Sequence, residues 1–586
     1  MPKSSAASST HPPLFRTLWP WITPHLRAFV WSVVLLLYSA TAKMLGPVIL
    51  QRAIDDYILP KDFEGLLLLL GGYIALILTG FMAHYWQLIQ LEQAGLQIVG
   101  ALKQKAFEHV LQLDLPFFDK HTTGKLVSRI ENDANAMKVL FSSVMSNVAS
   151  NLIMMVGMFG IMAWQYDLRL AVYVVGMCPV ILLAGIVFQR LMRPLLVDIR
   201  RRVSEVNGLL TEVIQGISTI QMFAQQDRFM TRIREESQAK NRQESWMTVG
   251  FNSFFNVLFF MQTLALALVL WFGGNLVMEE RLTVGSLVLF IVFIRTFFGP
   301  IMFLSSQFNE FQKAVAGGER IFALLAEEAT VRSPLQPVSA PEGLWDISFE
   351  NVYFRYPDSD RWVLENVSFH CPAGEHWALV GATGSGKTTI ISLLLRFYDP
   401  QQGRICVNGV DIRQLDIKTL RQAMGLVLQD VVFFPGTLWQ NLVLDKALSP
   451  ETVHEVLQSI GLHQRIMALP EGYETRLEEG AHNLSEGEQQ LLSFGRALLH
   501  NPRVLILDEA TSHIDPETEN KIQLAMQTLL KGRTALIIAH RLSTVETCER
   551  ILVLHHGHLL ESGSHAELLQ QGGHYAKLHQ LQTQYV

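Results

Sequence analysis

The placement of apolar residues restricts the fold of this chain more than any other feature in it. Six apolar stretches, at about 28–54, 64–92, 138–164, 168–192, 250–277 and 283–306, crowd the first 325 of its 586 residues. Each reaches the roughly 20 residues that a helix needs to cross a bilayer. Overall, 49% of residues are hydrophobic and only 17% are charged. That balance is too apolar for an ordinary water-soluble enzyme of this length and points to an integral membrane protein. Three stretches continue into polar helical extensions, at 87–111, 190–234 and 309–325. These suggest a helical stalk reaching into water.

The charges set an orientation. The short loops at 55–64, 165–169 and 279–281 carry only Lys61, Arg169 and Arg281, whereas 190–242 carries ten Lys or Arg residues. Positive-inside bias places the long segments in the cytoplasm, with both termini. Within the spans, Lys43 and Arg295 are either cavity-lining charges or packing and snorkelling residues. No span carries a string of carboxylates, so a proton or sodium relay is not indicated. The net charge of −6 gives no hint of nucleic-acid binding. Four dispersed cysteines form no C-x-x-C pair, so neither a disulfide frame nor a zinc site is suggested by them. Residues 1–20 read as an N-terminal tail. Its first thirteen residues lack the charged-then-apolar build of a cleaved signal, and retention is expected.

A transmembrane domain is therefore expected over 21–326. Two cytoplasmic turns interrupt it, Phe117 to Gly124 and Gly208 to Gly216, and either could be a short docking helix. Residues 327–343, with Pro334, Pro337 and Pro341, read as a linker. Beyond it, 344–586 alternates strands and helices, as in an α/β P-loop domain.

That second domain carries the chemistry. Gly381-Ala382-Thr383-Gly384-Ser385-Gly386-Lys387-Thr388-Thr389 fits G-x-x-x-x-G-K-[ST], between an apolar strand and a helical run. Its glycines let successive N–H groups converge on an anion, and the following helix adds its positive end. Lys387 is placed to reach the outer phosphates and Thr388 to hold magnesium. An apolar strand ends in Asp508-Glu509, and a second ends before His540. Asp508 suits Mg²⁺ and Glu509 suits a base or orienter for attacking water. His540 suits a γ-phosphate contact. Alone it reads better as a core or capping histidine; beside the P-loop and the Asp508-Glu509 strand it reads as catalytic.

The order of P-loop, Gln429, Asn483-Leu-Ser485-Glu-Gly487-Glu488, Asp508-Glu509 and His540 resembles an ABC nucleotide-binding domain. With six spans ahead of it, nearly the whole chain resembles an ABC exporter half. The fold class implied is a membrane all-α six-helix domain fused to an α/β P-loop ABC domain. The resemblance implies ATP and Mg²⁺ as cofactors, with Gln429 near the metal and attacking water. It implies that Tyr356 stacks on adenine, that Ser512 to Asp515 is the D-loop, and that the two cytoplasmic turns, at Phe117 to Gly124 and Thr211 to Gly216, are coupling helices. Ser485 and Gly487 would meet the nucleotide held by a second half. The likeness extends to subunits of multidrug-resistance-like exporters of the Mdl type in a bacterial inner membrane.

One motif departs from the family. Its signature L-S-G-G-Q is here Leu484-Ser485-Glu486-Gly487-Glu488. Two like charges about 6 Å apart at an effective dielectric near 20 repel by roughly 3 kcal/mol, so carboxylates here oppose a phosphate. Ser485-x-x-Glu488 is also a capping box. The mixture resembles one subunit of a heterodimer that moves amphipathic small molecules or lipid. Alternatives are a homodimeric lipid flippase and a nucleotide-regulated channel or sensor.

Overall fold

A computed structural model describes residues 14–165, 168–429, 431–444, 446–478, 481, 483–508, 516–539 and 542–583. The chain divides into two compact units. One comprises the stretch ending at Leu111 together with Thr123–Glu327. The other comprises Gln112–Thr122 together with Glu328 onward.

The first unit is helical. Helices cover all six apolar stretches, as Leu26–Arg52, Phe63–Leu111, Met145–Gln165, Leu168–Gln215, Gln226–Met278 and Val284–Ala326. Among the described residues, Arg16–Ile58, Phe63–Leu111, Thr123–Ala163 and Gln226–Met278 are long and apolar enough to cross a membrane, and Val284–Thr296 is a shorter apolar helix. Met44, Met158, Met162, Leu258, Phe290 and Phe293 form a buried core, while Leu68, Phe81, Phe259 and Phe260 are exposed. Large apolar side chains on the outside of a helical unit suit a lipid surround. Lys43, Pro47, Leu50, Leu66, Tyr73 and Val292 line a cavity of about 340 Å³. Arg295 is exposed, and its backbone carbonyl accepts from Gln262 Nε2 at 3.2 Å. Where the spans run on as polar helices, Arg320 grips Asp133 through two guanidinium nitrogens at 2.8 and 2.5 Å.

Two details differ from the sequence reading. Helix Leu14–Ile22 begins inside the stretch read as tail. Its Leu18 is fully buried against Ile98, Leu102, Phe141 and Ile321. The second cytoplasmic turn also lies later than Gly208 to Gly216. The helix runs unbroken to Gln215, and a short helix follows at Ile217–Met222. A Cβ at Gly208 would meet nothing within 4 Å. That glycine is simply an exposed helical one, tolerated at about 1 kcal/mol relative to alanine.

The second unit is α/β. Its strands are β1 (Ile347–Phe354), β2 (Leu364–Cys371), β3 (His376–Val380), β4 (Gln402–Val407), β5 (Val410–Asp411), β6 (Met424–Val427), β7 (Gly436–Thr437), β8 (Arg476–Leu477), β9 (Val504–Asp508), β10 (Thr534–Ile538), β11 (Arg550–His555) and β12 (His558–Gly563). A sheet in the order β12-β11-β3-β10-β9-β6 is parallel except at β12, and β2-β1-β4-β5 form a second, antiparallel sheet. β9 and β10 are almost wholly buried. Their continuous apolar runs reflect parallel strands covered on both faces.

The stretch 327–343 is irregular, yet its course over the second unit is fixed. The Val338 N–H donates to the Gln414 carbonyl at 2.9 Å, and Ser333 bonds Asp416 at 2.9 Å. Arg503 reaches the Pro341 carbonyl. The buried Arg396 guanidinium donates to the Arg332 carbonyl at 2.9 Å.

Candidate nucleotide-binding site

In the six-stranded sheet, β3, β10, β9 and β6 are parallel neighbours. Leu379 pairs with Ile538, Ile538 with Asp508, and Leu507 with Val427. Their C-terminal ends therefore lie along one edge. The glycine-rich loop leaves β3, Asp508 ends β9, and Gln429 stands exposed two residues past β6. Ligands of open α/β sheets bind at such carboxyl ends. Glu509 and His540, expected beside them, lie outside the described residues, as does Ser512 to Asp515.

The loop has the form an anion cradle requires. Gly384 and Gly386 adopt φ of 80° and 107°. A Cβ on Gly386 would also come within 2.6 Å of Leu364 Cδ2, so a side chain there would strain the backbone and displace Leu364. Gly386 caps the helix Lys387–Leu394. Lys387 Nζ donates to the carbonyls of Gly381 at 2.7 Å and Ala382 at 3.2 Å, bringing the ammonium over the loop. Burial pulls the Lys387 ammonium below its ordinary pKa, and the Asp508 carboxylate opposes that shift. The Ser385 hydroxyl is buried and has no protein partner among the described residues. A buried, unsatisfied donor is costly unless something else accepts from it, and a phosphate oxygen suits that role. Ala382, Thr383 and Thr388 are exposed at the loop.

Tyr356 donates to or accepts from Thr389 Oγ1 at 3.1 Å. Its ring stands edge-on to Phe354 and Tyr398, with centroids 5.0 and 5.2 Å away. The Tyr398 hydroxyl in turn donates to Asp119 of the segment Gln112–Thr122. Burial, with the Asp119 carboxylate, pushes the Tyr398 phenol well above its usual pKa. This link was not legible beforehand, because its partners are far apart in sequence and neither belongs to a motif.

The altered signature lies on another element. Ser485 caps the helix Glu486–His500 with a complete capping box. The Glu488 N–H donates to Ser485 Oγ at 3.3 Å, and the Ser485 N–H donates to Glu488 Oε2 at 2.9 Å. The same carboxylate pairs with Arg465 of His463–Met467. Burial works to raise the Glu488 pKa, but Arg465 and the Ser485 N–H prevail and hold it below the usual range. Gly487 is buried and Glu486 exposed. Arg465 carries no sequence signal of its own.

Residues 29–301 match the family model described as ABC transporter transmembrane region, and 364–512 match the model described as ABC transporter. An uncharacterized ABC transporter ATP-binding protein of Bacillus subtilis, YknV, is 36% identical over 93% of this chain and 91% of its own length. This chain belongs to the ABC transporter family. A probable multidrug resistance ABC transporter ATP-binding/permease protein of the same organism, YheH, is 34% identical over 89% of the chain and 77% of its own length. An ATP-dependent lipid A-core flippase of Thiobacillus denitrificans is 31% identical over 99% of both chains. The solved structure of a bacterial Atm1-family ABC exporter with ATP bound superposes with a TM-score of 0.78 at 26% identity, covering 95% of this chain and 98% of that one. The chain is thus an ABC exporter half. It is a multi-pass membrane protein whose α/β unit binds ATP and couples its hydrolysis to transport.

Proposed function

We propose that this ABC exporter half is one subunit of a heterodimer, with one fully catalytic and one slow ATP site, that expels amphipathic small molecules. The observation carrying the reading is Glu488. It replaces the signature's amide with a carboxylate held ionised by Arg465 and committed to capping Ser485. A nucleotide site completed by this signature meets negative charge where phosphate must sit. The P-loop side keeps every expected group. In the catalytic site, Gly381 to Thr389 wrap the phosphates, with Lys387 on the outer ones, and Tyr356 stacks on adenine. Glu509 orients or deprotonates the attacking water and His540 contacts the γ-phosphate. Thr388, Gln429 and Asp508 offer oxygen donors, the set that Mg²⁺ prefers. Bound there, Mg²⁺ would neutralise phosphate charge. Ser485 and Gly487 face the partner's nucleotide. The basic segment 190–242 favours a nucleotide unit in the cytoplasm, and the likeness to bacterial proteins supports a bacterial inner membrane.

The test is to purify the chain alone and with a second ABC half, each also as Glu509→Gln. Activity that needs the partner and vanishes with Glu509→Gln supports the heterodimer. Full ATPase from the chain alone defeats it. A second reading, a homodimeric lipid flippase, draws support from the full-length likeness to proteins named lipid A-core flippases. ATP-dependent lipid flipping by the chain alone in vesicles would favour it.

A further inference from the structure

We propose that Glu546, His565 and His579 form a binding site for one divalent transition-metal ion of the zinc type, apart from the nucleotide site. Three helices bring them together. Leu542–Glu546 follows β10 and ends in Glu546. His565–Gln571 starts at Ser564, which forms a full capping box with Glu567, and turns sharply at Gly572, where φ is 63°. His574–Thr583 then folds back. The imidazoles of His565 and His579 are consequently neighbours, with centroids 5.5 Å apart and planes tilted by 53°. Their Nε2 atoms lie 3.9 and 3.8 Å from the same atom, Glu546 Oε1. One donor atom from each of the three residues falls within 4.8 Å of the other two.

Zinc–ligand bonds of about 2.0–2.1 Å separate tetrahedral donors by roughly 3.4 Å. The two donor separations from Glu546 Oε1, 3.9 and 3.8 Å, exceed that by about half an ångström. Two imidazoles and one carboxylate suit zinc or its transition-metal neighbours, whereas Mg²⁺ demands oxygen donors. Three protein ligands leave the fourth position to water.

A supporting contact orients one ligand. His565 Nδ1 lies 2.7 Å from the Tyr575 hydroxyl, and Tyr575 is 1% exposed. At that distance the hydroxyl oxygen accepts from Nδ1–H when Nε2 turns its lone pair to a metal. Ligating histidines characteristically anchor their second nitrogen in this way. The competing account is a plain surface pairing of two histidines with one carboxylate, which predicts no metal affinity.

The experiment uses the full chain in detergent, stripped with a chelator and titrated with Zn²⁺ against a chromogenic competitor at pH 7.5. The expected result is one zinc per chain with a Kd on the order of a micromolar or tighter. His565→Gln and His579→Gln should each weaken it by at least about tenfold. Millimolar Mg²⁺ should not compete. Zinc near the parent's Kd should raise the parent's Tm more than that of either variant, and unchanged ATP binding by the variants would show that they remain folded. Equal zinc affinity in the parent and both variants would overturn the proposal. So would the absence of a saturable site.

Discussion

The Tyr398 hydroxyl donates a hydrogen bond to the Asp119 carboxylate, tying the segment Gln112–Thr122 to the aromatic group beside the P-loop helix. From Tyr398 the contacts continue to Tyr356 and on to Thr389, two residues past Lys387. In sequence the same segment joins the long helix Phe63–Leu111 to the next helical stretch. A hydrogen bond to a charged group contributes about 1.5–3 kcal/mol. Tyr398→Phe should therefore leave the ATP affinity within about twofold while lowering transport per ATP hydrolysed by roughly tenfold or more. ATPase and vesicle uptake measured on one preparation check this. An unchanged ratio would show that the contact is not part of coupling.

Lys387 has the clearest prediction at the P-loop. Its ammonium lies over the loop carbonyls, so Lys387→Ala removes the positive charge together with two hydrogen bonds to the loop, while the backbone angles of the glycines stay open to them. ATP hydrolysis and transport should both fall by at least about a hundredfold, since preorganised charge at the reacting group contributes several kcal/mol. The Tm should change little. Gly386→Ala should act differently, destabilising the fold itself, because its φ is left-handed and its Cβ would strike Leu364. Thermal melts of the two variants separate these effects.

The buried Arg396 makes a prediction about stability. Its side chain donates to Asp399 at 3.0 Å and to the carbonyls of Arg332, Leu415 and Ile412 at 2.9, 3.3 and 3.4 Å. Arg396→Ala leaves those acceptors short of a partner and removes the clasp on 327–343. A loss of about 3 kcal/mol is expected, read as a lower Tm with ATP binding retained in the folded fraction. A change below about 0.5 kcal/mol would mean that water replaces the guanidinium.

What could be read from the sequence was what repeats locally. The apolar stretches gave the helices, because a span is a run of adjacent residues. The P-loop was visible because Gly384, Gly386 and Lys387 are contiguous and each answers a backbone or charge requirement. The Ser485–Glu488 capping box was visible because its spacing is three residues. Distant pairings were not visible. Arg465 precedes Glu488 on another helix, and Asp119 meets Tyr398 across 279 residues of sequence. The prolines of 327–343 suggested a loose linker, yet Arg396, Gln414 and Arg503 hold that stretch down from later elements. Gly208 misled because glycine suggests a break, whereas the strong helix formers around it carry the helix on to Gln215.

The ionisation of Glu488 can be tested through pH. In the folded chain its carboxyl sits below the ordinary value of 4.5, with burial opposed by Arg465 and by the Ser485 N–H. A depressed carboxyl stabilises the fold above its unfolded pKa and loses that contribution as pH falls through the folded one. Glu488→Gln keeps a side chain able to complete the capping box but removes the ion pair. At pH 7 the variant should be less stable by up to about 1 kcal/mol. That difference should shrink towards zero as the pH drops below about 4.5, because the parent carboxyl then takes up its proton. Melting both proteins between pH 7 and pH 3.5 gives the comparison. A gap of constant size would remove ionisation as its cause and leave shape alone. If the Glu488 carboxylate also repels the partner's nucleotide, the same substitution should speed turnover at the slow site. That is measurable in a heterodimer whose other site is silenced by Glu509→Gln in this chain.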